Sequence, residues 1–294
     1  MMAWIGLDWG TSSLRGAHFD DRGAVIEERA FSRGILTVPK GGFAAAFAEH
    51  FGDWMAPPGT RCLISGMAGS QQGWLEAPYC ACPVSLDDVA GRLAWVEPGR
   101  IAIVPGLSCE RDGVPDVMRG EETQVFGALR LMGIAAGTFV MPGTHSKWIR
   151  VDAGRIESFA TLMTGEFYAL LRQHSILART LPPDDADLFD TAFDAGVAHA
   201  LRSPGLLQSA FSMRTLSLFE RLPLAERPSY LSGLVIGEEL RARDPNVGEV
   251  IVIGAEALTR RYERALAQRD VRVRRVGAEA TWRGLWSIAT RVSP

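Results

Sequence analysis

The chain has 294 residues, of which 47% are hydrophobic and 22% are charged, with a formal net charge of −3. This length predicts about two domains, and the lack of a basic excess argues against nucleic acid as a partner. No apolar run approaches the roughly 18 residues that a membrane helix needs, and the start of the chain lacks the features of a signal peptide. We therefore expect a cytoplasmic protein that binds small molecules and has no membrane or nucleic-acid partner.

The chain is predicted to begin with three antiparallel strands. Residues 4–9 form an apolar run, and two alternating segments follow, separated by a turn at 20–23. The first strand carries Asp8 near its end and is followed by a glycine and three hydroxyl residues: Gly10, Thr11, Ser12 and Ser13. The first turn is therefore predicted to present polar groups.

Residues 139–159 repeat this pattern. An apolar strand again ends in Gly-Thr-x-Ser, here Gly143 to Ser146, and an alternating strand, a tight turn and a further strand follow. The second Gly-Thr lies 133 residues after the first. Such a repeat predicts two domains of like topology, each beginning with a hairpin.

Helices and strands alternate along the rest of the chain, which predicts an α/β protein. Ser85 is predicted to cap a helix, with Asp88 three residues later. The stretch 179–196 is rich in proline and acidic residues, and we expect it to be a surface loop or an insertion. Predicted helical segments include 41–55, 120–133 and 280–291, and predicted strands include 61–69, 100–107 and the start of 248–266.

The two Gly-Thr-x-Ser turns have the chemistry of phosphate-binding loops. Glycine lets the backbone approach a ligand, successive N–H groups form an anion-binding hollow, and hydroxyls add donors. Asp8 suits a Mg²⁺ ion held through water. Each turn could instead be an ordinary polar turn. The chain contains no P-loop, no Rossmann fingerprint and no G-x-S-x-G motif, which argues against those nucleotide folds and against a serine hydrolase.

Several segments resemble the ATPase superfamily of actin, hexokinase and Hsp70. "GLDWGTSS" is similar to the first phosphate hairpin of that group and "PGTHSKW" to the second, while "VIVIGAEALTRRYERAL" resembles its adenosine-binding segment. "YLSGLVIGEEL" resembles the helix that connects and hinges the lobes, and the spacing of Gly233 and Gly237 allows a close helix approach. The resemblance implies a two-lobed ribonuclease H-like fold with duplicated mixed sheets flanked by helices.

Longer blocks are similar to one family of this group, the 2-dehydro-3-deoxygalactonokinases. The blocks span residues 65–83, 104–109, 115–129, 141–149 and 162–177. The resemblance implies ATP-dependent phosphorylation of 2-dehydro-3-deoxygalactonate at its 6-hydroxyl, in galactonate catabolism. A kinase of 2-keto-3-deoxygluconate or a hexose, and a non-catalytic ATP-binding regulator of the same fold, are the alternatives.

The resemblance also implies that the chain forms two lobes with different binding sites. Residues 1–133 would form an N-terminal lobe with the first phosphate hairpin and the sugar-acid site. Residues 134–294 would form a C-terminal lobe with the second hairpin and the adenosine site. The assembly is left open, with a homodimer as one outcome.

The implied cofactors are ATP and Mg²⁺, with Asp8 organising the metal. Lys147 would add charge to the phosphates or point into solvent, and His145 would donate to phosphate or only shape the turn. The residues implied to hold the nucleotide are Gly10, Thr11, Ser12, Gly143, Thr144, Ser146, Lys147, Gly165 and Gly254.

Transfer to a hydroxyl also needs a carboxylate that accepts its proton. Related sugar kinases have an aspartate at a loop-to-helix junction, where this chain has Glu121 and Glu122; we favour Glu121, with Asp116 as the second choice. These acids could instead only stabilise a helix N-terminus. Arg15 is expected to face away from the site. The residues implied to bind the sugar acid are Ser70, Gln71, Trp74, Arg119 and Glu122, although Trp74 could simply belong to the core.

Overall fold

The computed structural model describes residues 4–184, 187–243 and 247–292. Contacts within this part of the chain divide it into two compact units. The first unit contains residues 4–137, 149–160 and 276–292, and the second contains the described residues of 138–148 and 161–275. The chain therefore returns to the first unit twice. The division into lobes at residue 133 stays a prediction.

The strands and helices are numbered in chain order. The strands are β1 (Trp4–Trp9), β2 (Leu14–Phe19), β3 (Val25–Phe31), β4 (Arg61–Gly66), β5 (Tyr79–Ala81), β6 (Ala94–Glu97), β7 (Ile101–Ile103), β8 (Gly106–Arg111), β9 (Val114–Met118), β10 (Gly137–Met141), β11 (Ser146–Asp152), β12 (Arg155–Leu162), β13 (Glu249–Ile253) and β14 (Arg272–Val276). The helices are α1 (Phe43–Phe51), α2 (Leu86–Ala90), α3 (Glu121–Met132), α4 (Thr164–His174), α5 (Asp190–Arg202), α6 (Leu206–Ser209), α7 (Phe211–Leu218), α8 (Arg227–Arg241), α9 (Glu256–Ala267) and α10 (Glu279–Ala289).

The first unit is built on a six-stranded sheet of order β3-β2-β1-β4-β7-β6. β2 pairs antiparallel with both β1 and β3, which confirms the predicted opening of three antiparallel strands. β1 pairs in parallel with β4, and both are buried almost throughout because central parallel strands are covered on both faces. The carboxyl ends of β1 and β4 therefore lie side by side.

A smaller sheet of order β5-β8-β9 belongs to the same unit. The sequence predicted one strand over residues 100–107, and this prediction was wrong. The strand is interrupted at Val104 and Pro105, so that β7 pairs in the large sheet and β8 in the small one. Proline has no N–H and cannot continue the hydrogen-bond ladder of a strand.

Helices α3 and α10 cross at very short range within the first unit. A Cβ atom at Gly127 would collide with the carbonyl oxygen of Ala280, and one at Gly284 would collide with that of Thr123. Both glycines are therefore needed for this crossing, which holds α3 in place. The helix cap predicted at Ser85 and Asp88 is confirmed, since each side chain bonds the other residue's backbone N–H.

The second unit is built on a five-stranded sheet of order β12-β11-β10-β13-β14, in which β10 and β13 are parallel. The last part of β11 and the first part of β12 lie within residues 149–160, which belong to the first unit. Helices α5 and α8 pack closely because Gly233 and Gly237 face the α5 backbone at Phe193 and Val197. This confirms the close helix approach predicted for the two glycines.

The stretch 179–196 is only partly a loop. Residues 185 and 186 lie outside the described residues, but α5 begins at Asp190, so a loop was the wrong prediction for 190–196. Ala192, Phe193 and Val197 are buried at helical spacing, and this packing on α8 outweighs the acidic composition. Within the described ranges, none of the helices has the length and apolar character needed to span a bilayer.

Candidate active site

The first turn, between β1 and β2, presents exposed hydroxyl groups. The Gly10 N–H donates to the Ser13 carbonyl at 2.9 Å, and the Ile35 N–H donates to the Gly10 carbonyl at 3.0 Å. Thr11 and Ser12 are exposed. The turn is thus fixed through its backbone, while its side chains remain available to a ligand.

Asp8 lies just before this turn and forms an ion pair with Arg15. Arg15 Nη2 is 2.5 Å from Asp8 Oδ2, and the two side chains are 34% and 20% exposed. The residues are direct partners in the β1–β2 register, and opposed residues of an antiparallel pair point to the same face of the sheet. The prediction that Arg15 points away from the site was therefore wrong, because its side chain lies on the same face of the sheet as Asp8 and pairs with it.

The start of α3 lies beside the ends of β1 and β4. Gly66, at the end of β4, and Gly120, before α3, have φ values of 94° and 107°, which favour glycine. A Cβ atom at Gly66 would lie 3.3 Å from Asp8 Oδ1, and one at Gly120 would lie 3.2 Å from the Gly66 Cα. Small residues at both positions allow the two chain segments and Asp8 to meet.

Both glutamates at the start of α3 bond backbone N–H groups. Glu121 Oε2 accepts from the Arg119 N–H at 3.0 Å, and Glu122 Oε2 accepts from the Gly120 N–H at 2.7 Å. Glu122 is 0% exposed, and burial, with a smaller contribution from the nearby charge of Glu121, raises its pKa to about 8. Glu121 is only half-buried. Both acids therefore stabilise the N-terminus of α3, and Glu121 is more accessible to a ligand than Glu122.

Arg119 is a buried cation at the same junction. It is 8% exposed, its Nη2 donates to the Ala77 carbonyl at 2.8 Å, and its guanidinium lies 4.4 Å above the Tyr79 ring. Its Nε and Nη1 have no hydrogen-bond partner among the described residues. A Cβ atom at Gly69 would lie 2.8 Å from Nη1, so the glycine makes room for the guanidinium.

The other predicted sugar-acid residues, and Asp116, the second choice for the base, lie in different surroundings. The Ser70 hydroxyl donates to the Met67 carbonyl at 2.8 Å, and Gln71 is exposed in the same loop. Trp74 is partly buried and packs on Trp9 and Phe47, with ring centroids 6.2 and 5.4 Å away, so it packs against the hydrophobic core of the first unit. Asp116 is half-buried on β9, where it accepts from the Val117 N–H at 2.8 Å.

The second turn, in the second unit, is held by the start of α4. The Glu166 N–H donates to the Thr144 carbonyl at 3.0 Å, and Glu166 Oε2 lies 2.5 Å from His145 Nε2. A Cβ atom at Gly165 would lie 2.5 Å from the Gly143 carbonyl oxygen. Gly165 is therefore the residue that lets α4 touch the turn.

Lys147 and Ser146 are both buried, with exposures of 5% and 0%. The alternative in which Lys147 points into solvent was therefore wrong. The Ser146 hydroxyl donates to Glu239 Oε1 at 2.9 Å, so that proton is directed into the core. Ser146 thus does not present its hydroxyl proton to a phosphate in this arrangement.

Glu239 was not among the site residues predicted from the sequence. This residue is 2% exposed, and its carboxylate accepts hydrogen bonds from four side chains. The signal was an acid on the apolar face of "YLSGLVIGEEL", three or four residues after buried Val235 and Ile236. The donors are Ser146 Oγ at 2.9 Å, Trp148 Nε1 at 2.6 Å, Tyr262 OH at 2.7 Å and Thr164 Oγ1 at short range.

Gly254 lies at the same sheet edge as the second turn. Its strand, β13, is parallel to β10, and a Cβ atom at Gly254 would lie 3.8 Å from Pro142 Cδ. A cavity of about 70 Å³ lies near this edge. It is lined by Pro142, Gly143, Thr164, Gly165, Tyr168, Ser232, Val235, Ile236, Leu258, Arg261 and Tyr262.

Comparisons with known proteins agree with one another over nearly the whole chain. The family model described as 2-keto-3-deoxy-galactonokinase matches residues 8–288. The 2-dehydro-3-deoxygalactonokinase of Escherichia coli (strain K12) is 34% identical over 294 residues, covering 99% of this chain and 98% of the relative. A Rhizobium meliloti (strain 1021) protein that carries the same name with the qualifier "probable" is 37% identical, covering 98% and 96%.

Solved structures show the same relationship. A candidate 2-dehydro-3-deoxygalactonokinase from Sinorhizobium meliloti superposes with a TM-score of 0.92 at 36% identity, covering 99% of both chains. Component A of (R)-2-hydroxyglutaryl-CoA dehydratase from Acidaminococcus fermentans has a TM-score of 0.53 at 13% identity, over 100% of both chains, and this likeness concerns the fold alone. The predicted α/β fold of the actin-like ATPase type is thereby confirmed.

Proposed function

Because this chain belongs to the 2-keto-3-deoxy-galactonokinase family, we propose that it phosphorylates 2-dehydro-3-deoxy-D-galactonate at the 6-hydroxyl with ATP. The products are 2-dehydro-3-deoxy-6-phosphogalactonate and ADP, in the degradation of galactonate. The observation that carries this substrate class is Arg119, a buried guanidinium without a carboxylate partner among the described residues.

Arg119 is proposed to bind the carboxylate of the sugar acid. A guanidinium binds carboxylate through two parallel N–H bonds, and a buried cation gains more from such a partner than an exposed one. The Ala77 carbonyl already orients Nη2, which leaves Nε and Nη1 without partners among the described residues. Ser70 and Gln71 are proposed to supply further polar contacts, while Trp74 supports their loop from the core.

Glu121 is proposed as the base that accepts the proton of the sugar hydroxyl. It lies two residues from Arg119 and is more accessible than Glu122. Glu122, with a pKa of about 8, holds a proton at neutral pH and is enclosed, so we assign it to holding the start of α3. Asp116 remains the second choice for the base.

The two hydroxyl-bearing turns are proposed to bind the phosphates of ATP. In the first, Gly10, Thr11 and Ser12 would contribute backbone N–H groups and exposed hydroxyls. In the second, Gly143 and Thr144 would contribute backbone groups, Lys147 a nearby charge, and Gly165 close support. Gly254 and the start of α9 are proposed to contact the nucleoside. Ser146 is proposed to act through its backbone, because its hydroxyl donates to Glu239.

The Asp8 carboxylate fits a Mg²⁺ ion through Oδ1, since Oδ2 is paired with Arg15. This metal takes one or two carboxylates and keeps several waters, and Asp8 is a partly exposed carboxylate beside the first turn. Among the described residues, no group of three or more His, Cys, Asp and Glu side chains could hold a metal, which suits an ion bound mainly by phosphate and water. Asp8 is the proposed ligand, and the metal would neutralise charge on the phosphate oxygens.

The test is an ADP-release assay with a panel of acceptors. The panel contains 2-dehydro-3-deoxygalactonate, 2-dehydro-3-deoxygluconate, galactose and glucose, each with ATP and Mg²⁺. We expect the highest kcat/KM with the first compound and a 6-phosphorylated product by NMR. A clear preference for another acceptor would contradict the assigned substrate. ADP release that no acceptor stimulates would favour an ATP-binding regulator.

The homodimer and the cytoplasmic location also remain proposals. Light scattering coupled to size-exclusion chromatography measures the first, with a dimer mass near twice the 32.0 kDa of the chain. Fractionation of the source cells, followed by detection of the chain, measures the second.

A further inference from the structure

Glu239 joins three segments of the second unit that the proposed function assigns to the nucleotide. Ser146 directly follows the second turn, Thr164 opens α4, and Tyr262 lies on α9, the helix that follows Gly254. All three side chains bond the Glu239 carboxylate. We propose that Glu239 is a positioning residue that sets the geometry of the nucleotide site through these groups. This inference rests on the proposed function in one respect, namely that the second unit binds the nucleotide.

The number of donors matches an ionised carboxylate. Its two oxygens offer about four acceptor positions, and a protonated carboxyl group would lose one of them. Ser146, Trp148, Thr164 and Tyr262 supply four donors. Burial and the nearby charge of Glu239 raise the pKa of Tyr262 well above its ordinary value, so the phenol keeps its proton and donates it. Each of the four groups therefore donates to Glu239, and the Tyr262 hydroxyl also lies 3.3 Å from Ser146 Oγ.

The network controls groups that face the second turn. Thr164 precedes Gly165, which touches the Gly143 carbonyl, and the Glu166 N–H bonds the Thr144 carbonyl at 3.0 Å. A shift of Thr164 would therefore move the turn. Thr164 and Tyr262 also line the cavity near Gly254. Glu239 is not among the residues that line that cavity, so it acts there through its partners. Together with Thr164 it also lines a second cavity of about 600 Å³ in the same unit.

A buried carboxylate near a phosphate site is unfavourable by itself, because burying a charge costs free energy and like charges repel. An apolar residue could fill the same space only if the hydroxyls and the indole found other acceptors. Four donors on one acceptor group fix the relative placement of β11, α4 and α9 more narrowly than packing alone. We infer that the carboxylate is retained for this placement.

The test compares nucleotide binding with sugar-acid binding in single variants. Glu239→Gln removes the charge and turns one acceptor into a donor that faces the hydroxyls. Tyr262→Phe removes one donor and keeps the ring, so it remains informative if Glu239→Gln fails to fold. The matched control is Glu238→Gln, which removes the neighbouring acid that pairs with Arg241 near the surface. ADP binding is measured by calorimetry, and KM is measured for both substrates.

We expect the Kd for ADP to rise about tenfold in Glu239→Gln and a fewfold in Tyr262→Phe, in line with lost bonds to a charged group. KM for the sugar acid should stay within about twofold in both, and the Glu238→Gln control should match the wild type. In wild-type protein, the indole N–H resonance of Trp148, assigned with Trp148→Phe, should shift when ADP is added.

Unchanged ADP binding in a folded Glu239→Gln, or in Tyr262→Phe if the former does not fold, would overturn the inference. Equal weakening of both substrates together with a lower Tm would also overturn it, since that pattern belongs to a general structural role. Calorimetry with ADP needs no acceptor. The inference can therefore be tested even if the assigned sugar acid proves wrong, and wild-type kinase activity with unaffected variants would contradict the inference alone.

Discussion

Asp8 and Arg15 face each other across β1 and β2, with Asp8 Oδ2 2.5 Å from Arg15 Nη2. The pair brings a carboxylate and a guanidinium to the foot of the first turn. Arg15 also lies 5.6 Å from the centre of the Trp282 ring on α10. The ion pair therefore holds Asp8 in one orientation at the carboxyl end of β1. This places the proposed Mg²⁺ ligand directly before the first turn.

Replacing Asp8 by Asn tests its proposed role in holding Mg²⁺. The change keeps the shape of the side chain and removes the charge that would attract the metal, which is worth several kcal/mol in such sites. We expect kcat to fall at least about 100-fold, with a higher Mg²⁺ concentration needed for half-maximal rate. Steady-state kinetics at varied Mg²⁺ measures both.

The matched control for this prediction is Asp21→Asn, which removes an exposed acid from the turn between β2 and β3. Its kinetics should equal those of the wild type. Near-normal turnover of Asp8→Asn at low Mg²⁺ would contradict the metal role.

Arg119→Met is predicted to weaken sugar-acid binding. A hydrogen bond to a charged group contributes about 1.5–3 kcal/mol, so KM for the sugar acid should rise roughly 10- to 150-fold. KM for ATP should change little, because the proposed partner is the carboxylate of the sugar. Arg130→Met, which changes an exposed position on α3, the helix that begins just after Arg119, is the control. Equal effects of the two substitutions on KM would rule out the carboxylate contact.

Glu121→Gln is predicted to lower kcat more than it changes KM. A general base contributes about 10²–10⁴-fold to the rate, and an amide cannot accept the proton. A rise in KM with normal kcat would place Glu121 in binding instead. In that case Asp116→Asn would be the next variant to measure.

Glu122 is predicted to make stability depend on pH. Its pKa is about 8 in the folded chain, whereas an unfolded glutamate titrates near about 4.3. Between these values the folded state holds a proton that the unfolded state has released, so the free energy of unfolding falls as pH rises. Urea unfolding from pH 5 to pH 9 should show a flatter profile for Glu122→Gln than for the wild type.

The control for that profile is Glu28→Gln, which changes an exposed acid on β3. It should leave the slope of stability against pH unaltered. An identical slope in Glu122→Gln and the wild type would mean that Glu122 titrates normally in the folded chain.

Gly165→Ala is predicted to disturb the second turn. Its Cβ atom would lie 2.5 Å from the Gly143 carbonyl oxygen and 2.9 Å from the Thr144 Cα, so the turn or α4 must move. We expect KM for ATP to rise severalfold with little change in KM for the sugar acid. Gly248→Ala is the control, because nothing lies within 4 Å of a Cβ atom there. If both variants keep the wild-type KM for ATP, the turn does not touch the nucleotide.

Local sequence pattern was sufficient for much of this protein. The first three strands, the Ser85 cap and the close approach at Gly233 and Gly237 were all predicted, since the signal for each lies in residues near one another in sequence. The kinase family was also predicted from blocks of similar sequence, and the family model and relatives confirm it. The sequence pattern gave a wrong prediction at Pro105, where the predicted strand is divided between two sheets. It also gave a wrong prediction at 190–196, where packing on α8 stabilises a helix.

The sequence alone determined the strand-and-turn units and the membership in a kinase family, because both are written in contiguous residues. Only the tertiary structure decided which side chains meet. Arg15 reaches Asp8 through strand register, and Ser146 turns inward because Glu239, 93 residues later, accepts its proton. Arg119 is left without a carboxylate among the described residues. Such relations depend on distances between remote segments, which chain folding sets and local pattern does not encode.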